Sequence, residues 1–112
     1  MEYAVGQYFL AWNSNDAAGL SECFDPEVKL KDWEVSLEGL DAVVKGNIKI
    51  WEAYPDIKIT VTSMSTSCGE RTVATCELDV ELKDSAKTIL KVVDLIEFLQ
   101  PLKITSIRAY KQ

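Results

Sequence analysis

Ala74-Thr75-Cys76-Glu77-Leu78-Asp79-Val80-Glu81-Leu82 is the stretch that decides the fold. Ala74, Cys76, Leu78, Val80 and Leu82 alternate with Thr75, Glu77, Asp79 and Glu81. That period of two sets one face of a strand on a core and the other in water. Upstream, Ile57, Ile59 and Val61 alternate with Lys58, Thr60 and Thr62, and Ser67-Cys68-Gly69-Glu70 breaks the two runs apart. Downstream, Lys83-Asp84-Ser85-Ala86 reads as a hairpin turn, Thr88 to Leu99 as a third strand and Ile104 to Tyr110 as a fourth. Gln100-Pro101-Leu102 is the turn between the last two. The C-terminal half is therefore a meander of four strands.

The N-terminal half follows a different period. Val5, Tyr8, Phe9 and Trp12 recur at i, i+3, i+4 and i+7, the stripe of an amphipathic helix that Asn13-Ser14-Asn15 ends. Asp16 can cap a second short helix running through Phe24, with Leu20 and Phe24 inward, and Asp25-Pro26 then reads as a turn. Val28, Leu30 and Asp32 alternate with Lys29 and Lys31, so a strand follows and Asp32 falls on its apolar face. Gly39 begins a third helix with Val44, Ile48 and Trp51 on one side, stopped by Pro55-Asp56. The expected architecture is α+β in one domain, three helices on one face of a curved, mostly antiparallel sheet that encloses a pocket.

Thr88 to Leu99 is apolar on both faces, with Val92, Ile96 and Phe98 on one side and Val93, Leu95 and Leu99 on the other. An antiparallel strand of that kind needs cover on both sides. The helices cover one, and a second subunit is the expected cover of the other, making a homodimer.

Composition excludes several classes of function. The 112 residues suffice for one core and not two. A net charge of −6 opposes phosphate backbones and anionic lipid, so neither nucleic acid nor a membrane surface is an expected partner. Lys91, Asp94 and Glu97 interrupt the most hydrophobic stretch, short of a membrane span. Met1-Glu2-Tyr3 shows no secretory pattern, and Cys23, Cys68 and Cys76 form no CxxC pair, so a cytoplasmic setting is the default. Histidine is absent, which removes Ser-His-Asp and Cys-His nucleophile systems and the commonest metal ligand. No Gly-rich phosphate cradle is present either. Chemistry without a metal or cofactor, on carboxylates, Tyr or Lys, is what remains.

Three polar groups stand where the patterns call for apolar ones: Tyr8 in the stripe of the first helix, Asp32 after Val28 and Leu30, and Asp94 beside Val92, Ile96 and Phe98. An inward carboxylate is costly unless it changes protonation, finds a partner or performs a task. Plainer readings stand beside this one. Tyr8 can be a core aromatic with its hydroxyl bonded, and Asp32 can close a loop at a strand end. Trp12, Trp33, Trp51, Tyr54 and Phe98 form either a ligand cage or, as a set, core with one or two rings on the pocket. Trp12, Trp33, Trp51 and Phe98 are the ligand-binding candidates.

Tyr8 to Asp16, Phe24-Asp25-Pro26-Glu27-Val28, Trp51 to Ile57, Val93 to Phe98 and Ile104 to Tyr110, in that order and spacing, resemble the NTF2-like superfamily in its SnoaL-like and ketosteroid-isomerase-like branches. The likeness spans nearly the whole chain and implies a cystatin-like cone. By position Tyr8, Asp32 and Asp94 match the Tyr, the Asp general base and the protonated Asp of the isomerases, whose pKa tuning is a worked case of neutral carboxyl donation. In the polyketide-cyclase branch the position of Asp94 carries the acid/base. Two positions depart from the isomerases: Asn47 stands where a supporting Tyr is common and Trp33 where Pro is common, both reshaping the pocket.

The resemblance implies proton transfer on a small apolar carbonyl compound, with Asp32 as base and Tyr8 and neutral Asp94 as donors to the oxygen. Its rival is a non-catalytic dimeric ligand-binding or association domain. Epoxide hydrolysis through a carboxylate-activated water is a third reading.

Overall fold

A computed structural model describes residues 2–99 and 102–112. Helices α1 (Glu2–Asn13), α2 (Ala17–Cys23) and α3 (Leu40–Ala53) pack on one six-stranded sheet built from β1 (Phe24–Lys31), β2 (Ser36–Glu38), β3 (Lys58–Cys68), β4 (Thr72–Glu81), β5 (Ile89–Leu99) and β6 (Lys103–Lys111). Strand order is β2-β1-β6-β5-β4-β3. Among the described residues only β1 and β6 pair in parallel. The sheet is thus mixed, and it stays open at β2 and β3.

Sequence alternation becomes burial directly in β4, where Ala74, Cys76, Leu78 and Val80 are buried under the helices. Val92, Asp94, Ile96 and Phe98 of β5 do the same, as do Ile104 and Ile107 of β6. Asn13 ties the end of α1 to the open edge of the sheet: its Nδ2 donates to Ile59 O at 2.8 Å and its Oδ1 accepts from Ile59 N at 2.8 Å. One side chain thereby stands in for a neighbouring strand. Asp16 caps α2 by accepting from Gly19 N at 3.0 Å. Gly39 precedes α3 at φ 92°, ψ 154°, a conformation open to glycine and costly to residues with a Cβ.

Several boundaries fall elsewhere than the sequence suggests. Phe24 opens β1 instead of ending α2, and Asp25-Pro26 lies inside that strand. The turn expected there survives as a bulge, since Phe24 pairs Ile104 and Lys29 pairs Ser106, leaving the residues between without a regular register. Strand β2 went unread because three residues are too few for a pattern. On α3 the buried row is Val43, Asn47 and Trp51, one position from the expected Val44 and Ile48, because a polar Asn sits in the stripe. Thr88 belongs to the hairpin loop, where its N and Oγ1 both donate to the Asp84 carboxylate at 2.8 Å. These bonds hold that carboxyl below its usual range. The turn expected at Gln100-Pro101 lies outside the described residues. Among the described residues no helix is long and apolar enough to cross a membrane.

Candidate functional site

Between α1, α3 and the inner face of the sheet lies a cavity of about 320 Å³, at the lower end of the range for small-molecule sites. Tyr8, Asp32 and Asp94 all line it. Each reaches it from a different element. Tyr8 is brought by the buried stripe of α1, Asp94 by the inward row of β5, and Asp32 by the first residue beyond β1. The walls between them are mostly aliphatic, with Leu78, Val80 and Val92 from the sheet and Ile57 and Ile59 from the segment after α3.

Asp94 is 6% exposed and, among the described residues, its carboxyl has no hydrogen-bond partner. Burial, reinforced by the Asp32 charge, pushes its pKa up to about 7. A carboxyl raised into that range can give a proton or take one near neutral pH. Burial and then the Asp94 charge push the Tyr8 hydroxyl well above the usual phenol range, so Tyr8 stays a hydrogen-bond donor. The same two causes raise the thiol of Cys76, the cross-strand neighbour of Asp94, to about 11, which makes it an inert part of the wall.

Asp32 combines two of the readings open to it. Its Oδ1 accepts from Glu34 N at 2.7 Å and from Val35 N at 2.8 Å, closing the turn after β1. Its position on the wall still sets its charge close enough to act on Asp94. Trp33 rides on that turn, 42% exposed, at the cavity mouth. Trp12 is buried on the wall, and its Nε1 donates to Asn47 Oδ1 at 2.9 Å. Asn47 Nδ2 in turn donates to Val43 O at 2.8 Å. Asn47 therefore orients the Trp12 ring, which no hydrophobic pattern announces.

Trp51 and Phe98 do not line this cavity. Trp51 sits behind Trp12 in an edge-on contact, ring centroids 5.9 Å apart, with its Nε1 buried and unpartnered among the described residues. Phe98 lies far along the inward row of β5, beside surface grooves that hold none of the three polar candidates. Helical and strand periodicity told which residues face inward but not at which end of the core they sit. Lys111 is the residue the sequence reading missed: it lines the cavity from the last position of β6, beyond the expected end of that strand at Tyr110. Among the described residues no His, Cys, Asp or Glu cluster has the arrangement of a metal site.

The model of the SnoaL-like domain matches residues 5–107. No curated protein matches the chain. Among solved structures, a provisionally assigned dehydratase of the NTF2-like family from Streptomyces avermitilis aligns with a TM-score of 0.86 at 19% identity, covering 99% of this chain and 92% of its own. A protein of unknown function with a cystatin-like fold from Methylobium petroleophilum gives 0.84 at 19% identity, over 98% and 74%. A provisionally assigned ketosteroid isomerase from Kribbella flavida gives 0.79 at 17%, over 98% and 76%. At such identities the likeness shows the fold, α+β of the NTF2-like, cystatin-like type, and stops there.

Proposed function

The chain belongs to the SnoaL-like domain family, and on that premise we propose that it is an acid/base enzyme moving a proton next to the carbonyl of a small, largely apolar compound. The observation that carries this reading is Tyr8, Asp32 and Asp94 on one cavity, with Asp94 held near pKa 7 by burial.

In the proposed scheme the carbonyl oxygen lies at the inner end, against Tyr8 and protonated Asp94. The free Oδ2 of Asp32 takes a proton from the α-carbon. The C–H pair becomes the C=C bond of an enolate, and the carbonyl π pair moves to oxygen, where the two donors stabilise it. Asp32 then returns the proton to carbon, at the same position or along the conjugated chain. No metal or cofactor enters the scheme. Preorganised donors in a dry site contribute several kcal/mol to such a step.

A second reading, a ligand-binding or association module without catalysis, is favoured by one observation: Asp32 Oδ1 is already committed to two turn amides. Under it a ligand raises the melting temperature and no proton exchanges. Both readings are proposed for a homodimer, supported by the outer apolar row of β5, and for a cytoplasmic setting, supported by the free thiols of Cys23, Cys68 and Cys76.

Incubation with small enolisable ketones in D2O, followed by loss of the α-proton NMR signal, tests the first reading. Exchange above the buffer rate, cut roughly 10²–10⁴-fold by Asp32→Asn, is expected. Buffer-level exchange across the series overturns it.

A further inference from the structure

Polarity is unevenly distributed along the cavity. The inner end has a hydroxyl and a carboxyl, the middle is aliphatic, and the mouth carries one ammonium, that of Lys111. Lys111 is there because of strand register. On β6, Ile107, Ala109 and Lys111 pair Ile96, Asp94 and Val92 of β5, all three of which are buried on the inner face. A side chain paired to Val92 points the same way as Val92. Lysine thus occupies an inward position where the pattern calls for an apolar residue. The strand end is held in that register by Gln112 N, which donates to Lys91 O at 2.8 Å.

The ammonium is also uncommitted. Asp32 and Glu34 line the same mouth, yet among the described residues Lys111 forms no ion pair with any carboxylate. Its Nζ instead lies 5.5 Å from the centroid of the Trp33 ring. A cation held over an aromatic face keeps its N–H donors for another acceptor. Trp33 is in turn fixed by the turn that Asp32 closes, so ring and ammonium form one preorganised edge of the mouth.

We propose that Lys111, backed by Trp33, is the anion-binding subsite of the cavity, and that the substrate class is an apolar oxo-carboxylate whose carbonyl and carboxylate lie at opposite ends. This deepens the proton-transfer reading and rests on it for the inner end. The register sets the spacing: Ala109, opposite Asp94, and Lys111 are two residues apart, about 7 Å along a strand. A carbonyl at Asp94 and a carboxylate at Lys111 are therefore separated by a short aliphatic chain, which the middle of the cavity suits.

The test uses an eight-carbon oxo-carboxylate with its keto carbon next to the terminal methyl, and the methyl ester of the same acid, titrated by calorimetry. For wild type the acid is expected to bind about tenfold tighter than the ester, which corresponds to ~1.4 kcal/mol. Lys111→Gln is expected to close that gap to within about twofold, and Lys111→Glu to invert it. Lys91→Gln, which removes an outer-face lysine paired to Asp79, is expected to leave the gap intact. The proposal is overturned by equal binding of acid and ester to wild type, by a gap that survives Lys111→Gln, by one that Lys91→Gln abolishes equally, or by no binding of either compound. Proton exchange in D2O on the same pair separates the two readings. A Lys111-dependent gap without exchange refutes the proton transfer and keeps the subsite, whereas exchange without the gap overturns the subsite alone.

Discussion

Asp94 faces Ala109 across the β5–β6 ladder, and that single methyl group leaves open the space over the carboxyl. Lys31 pairs Arg108 one step earlier on the β1–β6 ladder, so Asp32 follows on the other flank of Ala109. Two carboxyls that line the cavity are thus separated by the smallest side chain in the row. Filling it is a direct test of the site. Ala109→Leu is expected to abolish binding of any cavity ligand and to lower stability by about 1–3 kcal/mol through overpacking against Asp94 and Ile107. Calorimetric titration and thermal melting measure the two effects separately.

The protonation of Asp94 makes stability depend on pH with a defined sign. Its folded pKa is about 7, raised from the ordinary aspartate value of 3.8, so the folded chain holds a proton that the unfolded chain releases. The stability linked to it is fully present below pH 4 and is lost as pH rises through 7. Asn is a neutral near-isostere of the protonated acid. Asp94→Asn is expected to flatten that part of the melting profile and to melt higher than wild type at pH 8. A variant that melts well below wild type at that pH makes Asp94 an ionised structural anchor instead.

The bond from Trp12 to Asn47 predicts an unequal pair of substitutions. Asn47→Ala removes the acceptor and leaves a buried indole N–H unpaired, at a cost of about 1–3 kcal/mol. Trp12→Phe in the Asn47→Ala background removes the orphaned donor as well. Denaturant titration of the double variant is expected to show less loss than the sum of the single variants.

Strict alternation in Ala74 to Leu82 specified β4 because each burial there is decided by period two alone, and the α1 stripe specified Tyr8 and Trp12 in the same way. Asn47 displaced the reading of α3 by one row, since a polar residue held by a buried indole looks like solvent-facing surface until its partner is known. Asp32 was open between a pocket wall and a loop anchor, and it is both. Trp51 and Phe98 face inward as their spacing requires but lie away from the cavity, because periodicity gives a side and not a depth. Lys111 was invisible because its inward orientation depends on pairing with Val92, 19 residues earlier, which no local window contains.

The outer face of β5 leads to a prediction about assembly. Val93 and Leu95 are half-buried and Leu99 is 55% exposed on the side away from the helices. If that row is covered by a second copy, Leu95→Glu puts a charge into the interface and is expected to shift the protein to monomer in sedimentation at micromolar concentration. A wild type that already sediments as a monomer ends the homodimer proposal.

Asp32 offers the sharpest separation of structure from chemistry, because the proposed scheme gives its two oxygens different tasks. Oδ1 accepts the amides of Glu34 and Val35, and that bond pattern holds Trp33 at the mouth. Asn retains an acceptor oxygen, so Asp32→Asn keeps the turn while removing the proton acceptor. Ala keeps neither. Asp32→Asn is therefore expected to cut kcat by roughly 10²–10⁴ with KM close to wild type. Asp32→Ala is expected to cut kcat at least as far and to raise KM as well, because the turn carrying Trp33 loses its anchor. Loss of that anchor also costs stability, about 1 kcal/mol by the ordinary worth of such a bond, and melting of the two variants side by side measures it. If the two variants share one kcat and one KM, the turn bonds play no part in binding. If Asp32→Asn keeps full turnover, Asp32 is not the base and the proton passes through Asp94 instead.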